Sequence, residues 1–133
     1  MKMAIASTAL VSILDHARRA TPAEACGIVF GDAAIDAAEA ATNVAAHPER
    51  AFEIDPAALL RAHRSARAAG RKVLGWYHSH PNGSTEPSRT DAARAVEDGR
   101  LWLIAAGGTV AAWRVVADGP VHGRFAPIDL VAA

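Results

Sequence analysis

The sequence predicts an α+β fold, a mixed sheet packed against helices, and three observations carry that reading. The elements run helix, strands, helix, strand, helix, strands, which departs from the strict strand-helix alternation of a doubly wound sheet. Hydrophobic residues make up 51% of the chain and charged residues 21%, the balance of a protein that builds a core. The 133 residues are close to one typical domain length, so the chain reads as a single domain over residues 1–133.

Each element has its own local cause. From Thr8 to Ala20, Leu10, Val11, Ile13, Leu14 and Ala17 recur at helical spacing, and Pro22 ends the pattern. Cys26 to Gly31 is a short apolar run closed by Gly-Asp. The Ala-rich stretch to Asn43 pairs naturally with it as the next strand of a hairpin. Ala51-Phe52-Glu53-Ile54 alternates, and Asp55-Pro56 supplies an N-cap and a proline at the first helical position of a helix to about Ala69. Gly70 stops that helix. Lys72 to His78 reads as a buried strand running into a polar loop from Ser79 to Pro87, and Ser88 to Glu97 as a short helix with an acidic first turn. Leu101 to Ala106 and Val110 to Val116 are strands separated by Gly107-Gly108, and Val121 to Ile128 is the last strand. Alanine makes up about a quarter of the chain and is discounted in these patterns.

Charge and composition exclude several classes of function. Fourteen cations balance fourteen acids, so no basic field recruits nucleic acid or an anionic membrane. Cys26 is the only cysteine and has no internal disulfide partner. The longest apolar runs fall far short of the roughly 20 residues that span a bilayer, and the N-terminus lacks the apolar region of a secretion signal, so a cytoplasmic protein is expected.

The informative segment is His78-Ser79-His80-Pro81, followed by Ser88 and Asp91. Residues two apart on a strand face the same way, so His78 and His80 can aim two imidazoles at one point. Asp91, on the first turn of the next helix, can bring a carboxylate there. Two nitrogens, one oxygen and an open fourth position form a catalytic rather than a structural zinc pattern, and no cysteine ligands are available. The residues alone leave simpler readings open. Ser88 and Asp91 have the spacing of a capping box, and any strand can carry two ordinary histidines.

Taken together, these positions resemble the JAMM motif of the MPN-domain metallopeptidases. Pro22-Ala23-Glu24-Ala25-Cys26-Gly27 also resembles the family's Glu-bearing first strand. Asn43-Val44-Ala45, Phe52-Glu53-Ile54-Asp55 and Gly75-Trp76-Tyr77-His78 follow in the family's order, so the likeness covers nearly the whole chain. It implies an α/β sandwich with a cytidine-deaminase-like mixed sheet. It implies one zinc ion held by His78, His80 and Asp91, with water at the fourth position. It implies Glu24 as general acid/base and Ser88 as donor to the tetrahedral oxyanion.

The implied activity is hydrolysis of an amide or isopeptide bond by zinc-activated water. The substrate would be the C-terminal Gly-Gly tail of a ubiquitin-like or sulfur-carrier protein, as in small bacterial members. Two alternatives stand beside it: a catalytically silent MPN scaffold, and a zinc hydrolase of small amides. Deaminase chemistry is disfavoured because it needs a Pro-Cys-x-x-Cys ligand pair, and a cupin because helices are present. Trp76 either lines a groove or joins the core, Tyr77 faces the other way into the core, and Cys26 reads as packing. His16, His47, His63 and His122 have no partner at ligand spacing. Oligomeric state and the identity of the carrier are not readable.

Overall fold

The computed structural model describes residues 1–133 and contains seven strands and three helices. In chain order these are β1 (Lys2–Ile5), α1 (Ser7–Ala20), β2 (Cys26–Gly31), β3 (Ile35–Ala41), α2 (Pro56–Ala68), β4 (Lys72–Ser79), α3 (Arg89–Arg94), β5 (Leu101–Ala106), β6 (Thr109–Gly119) and β7 (Gly123–Ala132). The fold class is the α+β class expected.

Strand order is β1-β3-β2-β4-β5-β6-β7, and β7 returns to pair with β1, closing the sheet. The sheet is mixed. β1 runs parallel to both β3 and β7, and β4 runs parallel to β5, while the other neighbours are antiparallel. The closing strand β1 is the element the sequence did not reveal: it has four residues, of which only Ile5 is buried. The last strand begins later than the sequence implied and runs on to Ala132, because β1 extends the ladder with pairs from Lys2↔Asp129 to Ile5↔Ala132. The third helix ends at Arg94, before the expected Glu97. Ala95 is already extended, and Gly99 turns the chain with φ +79° into β5.

The period-two alternation of the strands divides the core. On one face Val29, Tyr77, Leu101, Leu103 and Ala105 pack with Ile5 and Ile35 around Ala9 and Ile13 of α1. On the other face of β2, Ile28 and Phe30 pack against Ala62 and Ala66 of α2. Farther along that side, Trp102, Ile104, Trp113, Val115 and Phe125 form a separate aromatic-rich cluster with Ala95. Tyr77 and Trp76 thus point to opposite faces, and Tyr77 is core, as the pattern implied.

α2 begins as the sequence indicated: Asp55 Oδ1 accepts from Ala57 N, and Pro56 opens the helix. Gly70, at φ +69°, follows its C-cap. The segment from Ala51 to Ile54 makes only one bridge, Asn43↔Ile54, and is otherwise an irregular strap.

Close approach of β4 and β5 depends on Gly75. A Cβ there would lie 2.0 Å from the Leu101 carbonyl oxygen, a backbone atom that cannot swing aside. Gly75→Ala is therefore expected to destabilise the protein by about 2 kcal/mol or more. Chemical denaturation checks this, and wild-type stability in the variant would show that β4 and β5 can separate at no cost.

Candidate metal centre

The site forms where β4 ends. His78 lies within β4, and His80 stands one residue beyond it, where His80 N–H still donates to Ala105 O at 3.0 Å. The ladder thus continues one residue further, and both imidazoles fall on one side. Asp91 arrives from α3, whose first turn is locked by a capping box. Ser88 Oγ accepts from Asp91 N at 3.0 Å, and Asp91 Oδ2 accepts from Ser88 N at 2.9 Å.

The structural reading of Ser88 and Asp91 is therefore correct as far as it goes, but it is incomplete. The same Asp91 Oδ2 lies 3.1 Å from His78 Nε2 and 3.0 Å from His80 Nε2, and the two Nε2 atoms are 3.1 Å apart. All three side chains are buried.

Hydrogen bonding on the far side of His80 defines what this convergence means. His80 Nδ1 is 2.8 Å from Ser84 O, a carbonyl that can only accept, so Nδ1 carries the hydrogen. In the neutral ring Nε2 is then a bare lone pair, and it faces a carboxylate oxygen. Acceptors this close repel unless a cation or a shared proton lies between them. Two imidazole nitrogens and a carboxylate oxygen are donors that zinc takes, so the residues present fit a bound divalent metal.

Glu24 reaches the same place from the opposite direction. Register between β2 and β4 sets Cys26 opposite His78 and Gly27 opposite Tyr77, so continuing it two residues puts Glu24 opposite His80. A reciprocal pair of bonds fixes that corner: Ala25 N donates to Ser79 Oγ at 2.8 Å and Ser79 N to Ala25 O at 3.0 Å. Asn43, a side chain the sequence placed only in family order, makes four hydrogen bonds. It donates to Glu24 O and Ala51 O and accepts from Ala45 N and Glu53 N.

Glu24, His78 and His80 each offer a ligand atom, all within 4.8 Å of one another. Read in isolation, Glu24 has the look of a surface carboxylate; it is 6% exposed, and its Oε1 has no hydrogen-bond partner. Burial pushes its carboxyl up to about 7, with the nearby His80 pulling the other way.

The remaining charges follow the same geometry. Burial lowers the pKa of His78. His80 is also penalised by burial, yet the hydrogen bond and charge of Asp91 raise it overall. Asp91, despite burial, is held well below the ordinary carboxylate range by the bonds it accepts from His78 and His80 when a proton lies between them, and by the Ser88 backbone. Burial pushes the Cys26 thiol up to about 12, so it stays protonated, in keeping with a packing role.

The sequence missed the aromatic wall of the site. Phe52 stacks on the His78 ring with centroids 4.2 Å apart and planes at 18°, and Trp102 meets that ring edge-on at 5.6 Å. Phe52, Ile54, Leu59, Trp76 and Trp102, with the charged Glu53 and Arg94, line a mostly apolar cavity of about 270 Å³ beside His78. Trp76 therefore meets both of its readings: it lines this groove and packs against the two core clusters on that side of the sheet. No helix is long and apolar enough to cross a membrane.

Comparison with known proteins identifies a family. Residues 7–116 match the family described as prokaryotic homologs of the JAB domain. A desampylase of Haloferax volcanii is 39% identical over 110 residues, covering 77% of this chain and 79% of that protein. A probable TtuB-protein conjugate cleaving protease of Thermus thermophilus is 35% identical over 80 residues, covering 60% of this chain and 54% of that protein. A Desulfitobacterium hafniense protein solved in solution superposes with a TM-score of 0.84 over 98% of this chain and 92% of its own at 24% identity, a likeness of fold. With the family's domain matched over most of its length and a relative this similar over three quarters of it, the chain belongs to the prokaryotic JAB family, the JAMM/MPN proteins.

Proposed function

We propose that this protein is a zinc-dependent hydrolase of amide or isopeptide bonds. Its substrate is the C-terminal Gly-Gly tail of a ubiquitin-like or sulfur-carrier protein. The observation that carries the reading is the meeting of His78 Nε2, His80 Nε2 and Asp91 Oδ2 within 3.0–3.1 Å of one another. The relatives add support for the substrate, since one is named a desampylase and another for cleaving TtuB-protein conjugates.

His78, His80 and Asp91 are the proposed ligands, with one zinc per chain. Glu24 takes a different role, because Asp91 Oδ2 lies within hydrogen-bond distance of both imidazoles, whereas Glu24 Oε1 is buried and unpartnered, an oxygen left to hold a proton. When bound, zinc supplies an activated water and polarises the scissile carbonyl. Glu24 takes the water's proton on Oε1 and returns it to the leaving amine, a role suited to a carboxyl whose pKa lies near 7. Ser88 keeps its cap through an Oγ lone pair, leaving its hydroxyl hydrogen to donate to the oxyanion. The cavity walled by Phe52, Trp76 and Trp102 holds the chain next to the scissile bond.

Metal analysis of purified protein is expected to find one zinc per chain. The variant with both His78→Ala and His80→Ala, and the variant Asp91→Ala, are expected to lose it, while Glu24→Gln keeps it. Zinc retained without the two histidines would refute the ligand set. A Gly-Gly tail amide-linked to an amine is the diagnostic substrate. Cleavage of small amides alone would favour the small-amide hydrolase, and no turnover of either would favour the scaffold.

Glu24→Gln is expected to bind zinc and substrate normally and to lower turnover at least about 10²-fold. Burial of this carboxyl has a second consequence in metal-free protein. Its folded pKa, near 7, exceeds the ordinary 4.5, so its contribution to stability is complete below 4.5 and lost as pH rises toward 7. Metal-free Glu24→Gln should therefore melt above the wild type at pH 8, and the gap should close by pH 4. A constant difference across that range would mean that Glu24 does not titrate as a buried carboxyl.

For Ser88→Ala two losses are expected together. One is about 1 kcal/mol of stability from the cap. The other is a roughly 10²-fold slower chemical step with zinc retained. Single-turnover rates at a temperature where the variant is folded separate them. A stability loss with the rate intact would reduce Ser88 to a cap.

A further inference from the structure

We propose that Trp113 and His122, which lie in no recognised motif of the chain, are positioning residues for the metal centre. They act through the loop that joins two of the proposed ligands. This inference rests on the ligand set given above. Between His80 and Asp91 the chain makes a ten-residue excursion containing Pro81 and Pro87 and belonging largely to no helix or strand. Left to itself, such a segment has many conformations, and Asp91 would meet the histidines only in a small fraction of them.

Three ring N–H groups, from three different parts of the fold, each hold one carbonyl of this loop. His80 Nδ1 donates to Ser84 O at 2.8 Å, Trp113 Nε1 to Thr85 O at 3.0 Å, and His122 Nε2 to Pro87 O at 2.9 Å. A carbonyl only accepts, so in every case the ring must carry the hydrogen.

The third of these bonds leads directly to the metal site. Pro87 O and Ser88 N belong to the same peptide unit. Its oxygen is held by His122, and its N–H donates to Asp91 Oδ2 at 2.9 Å, the atom that faces both imidazoles. A rigid peptide plane gripped at one end fixes the donor at the other. His122 thus orients the Asp91 carboxylate through one peptide, as outer partners orient metal ligands elsewhere.

Trp113 contributes from firmer ground. It is 7% exposed, sits opposite Trp102 in the β5–β6 ladder, and belongs to the aromatic cluster beneath His78. Its ring is fixed by packing, so its N–H is presented to Thr85 with little entropy left to lose. His122 is more exposed and lies in the turn between β6 and β7, with its backbone in the left-handed region at φ +53°.

The test is zinc affinity, measured by competition with a chelator, together with the visible absorption of cobalt-loaded protein as a report on ligand geometry. Trp113→Phe removes the N–H and keeps an aromatic ring. His122→Gly removes the imidazole where glycine suits the backbone. His122→Gln restores a donor near the position of Nε2.

The double variant with Trp113→Phe and His122→Gly is expected to bind zinc on the order of 10- to 100-fold more weakly and to show an altered cobalt spectrum. Each single variant should lose less, and His122→Gln should recover most of what His122→Gly loses. Melting of the metal-free single variants separates a loss of fold from a loss of positioning. Wild-type zinc affinity in the double variant, or in both single variants should the double not fold, overturns this inference alone. A loss in His122→Gly that His122→Gln does not recover also overturns it. A wild-type chain that binds no zinc overturns the ligand reading, and this inference with it.

Discussion

The crowding of His78 Nε2, His80 Nε2 and Asp91 Oδ2 within 3.0–3.1 Å is the constraint on which the rest of the structure turns. Placing a carboxylate oxygen against two imidazole nitrogens in a buried pocket is costly without a cation or proton to hold them, and the desolvation cost adds to the repulsion. The surrounding scaffold has to impose that arrangement. β4 supplies the histidines through its two-residue period, the capping box of α3 supplies Asp91, and the β2–β4 register supplies Glu24. Chain closure through β1 ties the sheet into one body, so the strands carrying these groups cannot fan apart.

How much of this was legible follows from the range of each interaction. His78 and His80 are neighbours in sequence, and a two-residue period is local, so their shared face could be read directly. The same holds for Asp55-Pro56, whose capping role needs only the next few residues. β1 could not be read, because a strand of four residues has too little pattern and its partners lie at the opposite end of the chain. Phe52 was visible as part of an alternating tetrapeptide and of a segment in the family's order, with no sign of its contact; its stacking on His78 comes from the path of the strap, which Asn43 sets by bonds to Glu24, Ala45, Ala51 and Glu53. His122 has no partner at ligand spacing and so reads as a solvated or locally bonded histidine; its bond is instead to a backbone carbonyl thirty-five residues earlier, which no side-chain pattern records.

Glu24 shows why the family resemblance added what spacing could not. Fifty-four residues separate Ala25, whose N–H is held by the Ser79 hydroxyl, from that serine, so nothing local distinguishes the neighbouring Glu24 from a solvated carboxylate. In the fold it is buried with one oxygen unpartnered, an arrangement a protein selected for stability alone would avoid. The cost is confined to one side chain. Its own backbone carbonyl is bonded by Asn43 and its N–H donates to Pro48 O, so the main chain is satisfied while the carboxyl is not. Strain of this kind, localised on one carboxyl and compensated by the backbone around it, is what the proposed proton transfer by Glu24 requires.

The cap and the proposed roles of Ser88 and Asp91 use the same atoms without conflict, because a hydroxyl or carboxylate oxygen has more than one hydrogen-bonding direction. Ser88 Oγ accepts the Asp91 N–H with one lone pair, and its hydrogen stays free to point elsewhere. Asp91 Oδ2 accepts the Ser88 N–H while facing the imidazoles with its remaining lone-pair density. The cap therefore fixes the rotamers of both side chains before any substrate arrives. A six-residue helix is too short to be stable by itself, so α3 exists because of its cap and its tethers. Its own instability makes the geometry of the site depend on contacts from outside it: Arg94 reaching back to Phe52 O, Arg124 to Ala95 O, and His122 to Pro87 O. Asp91, the proposed ligand whose local motif is a capping box, is in this way held by the far end of the chain.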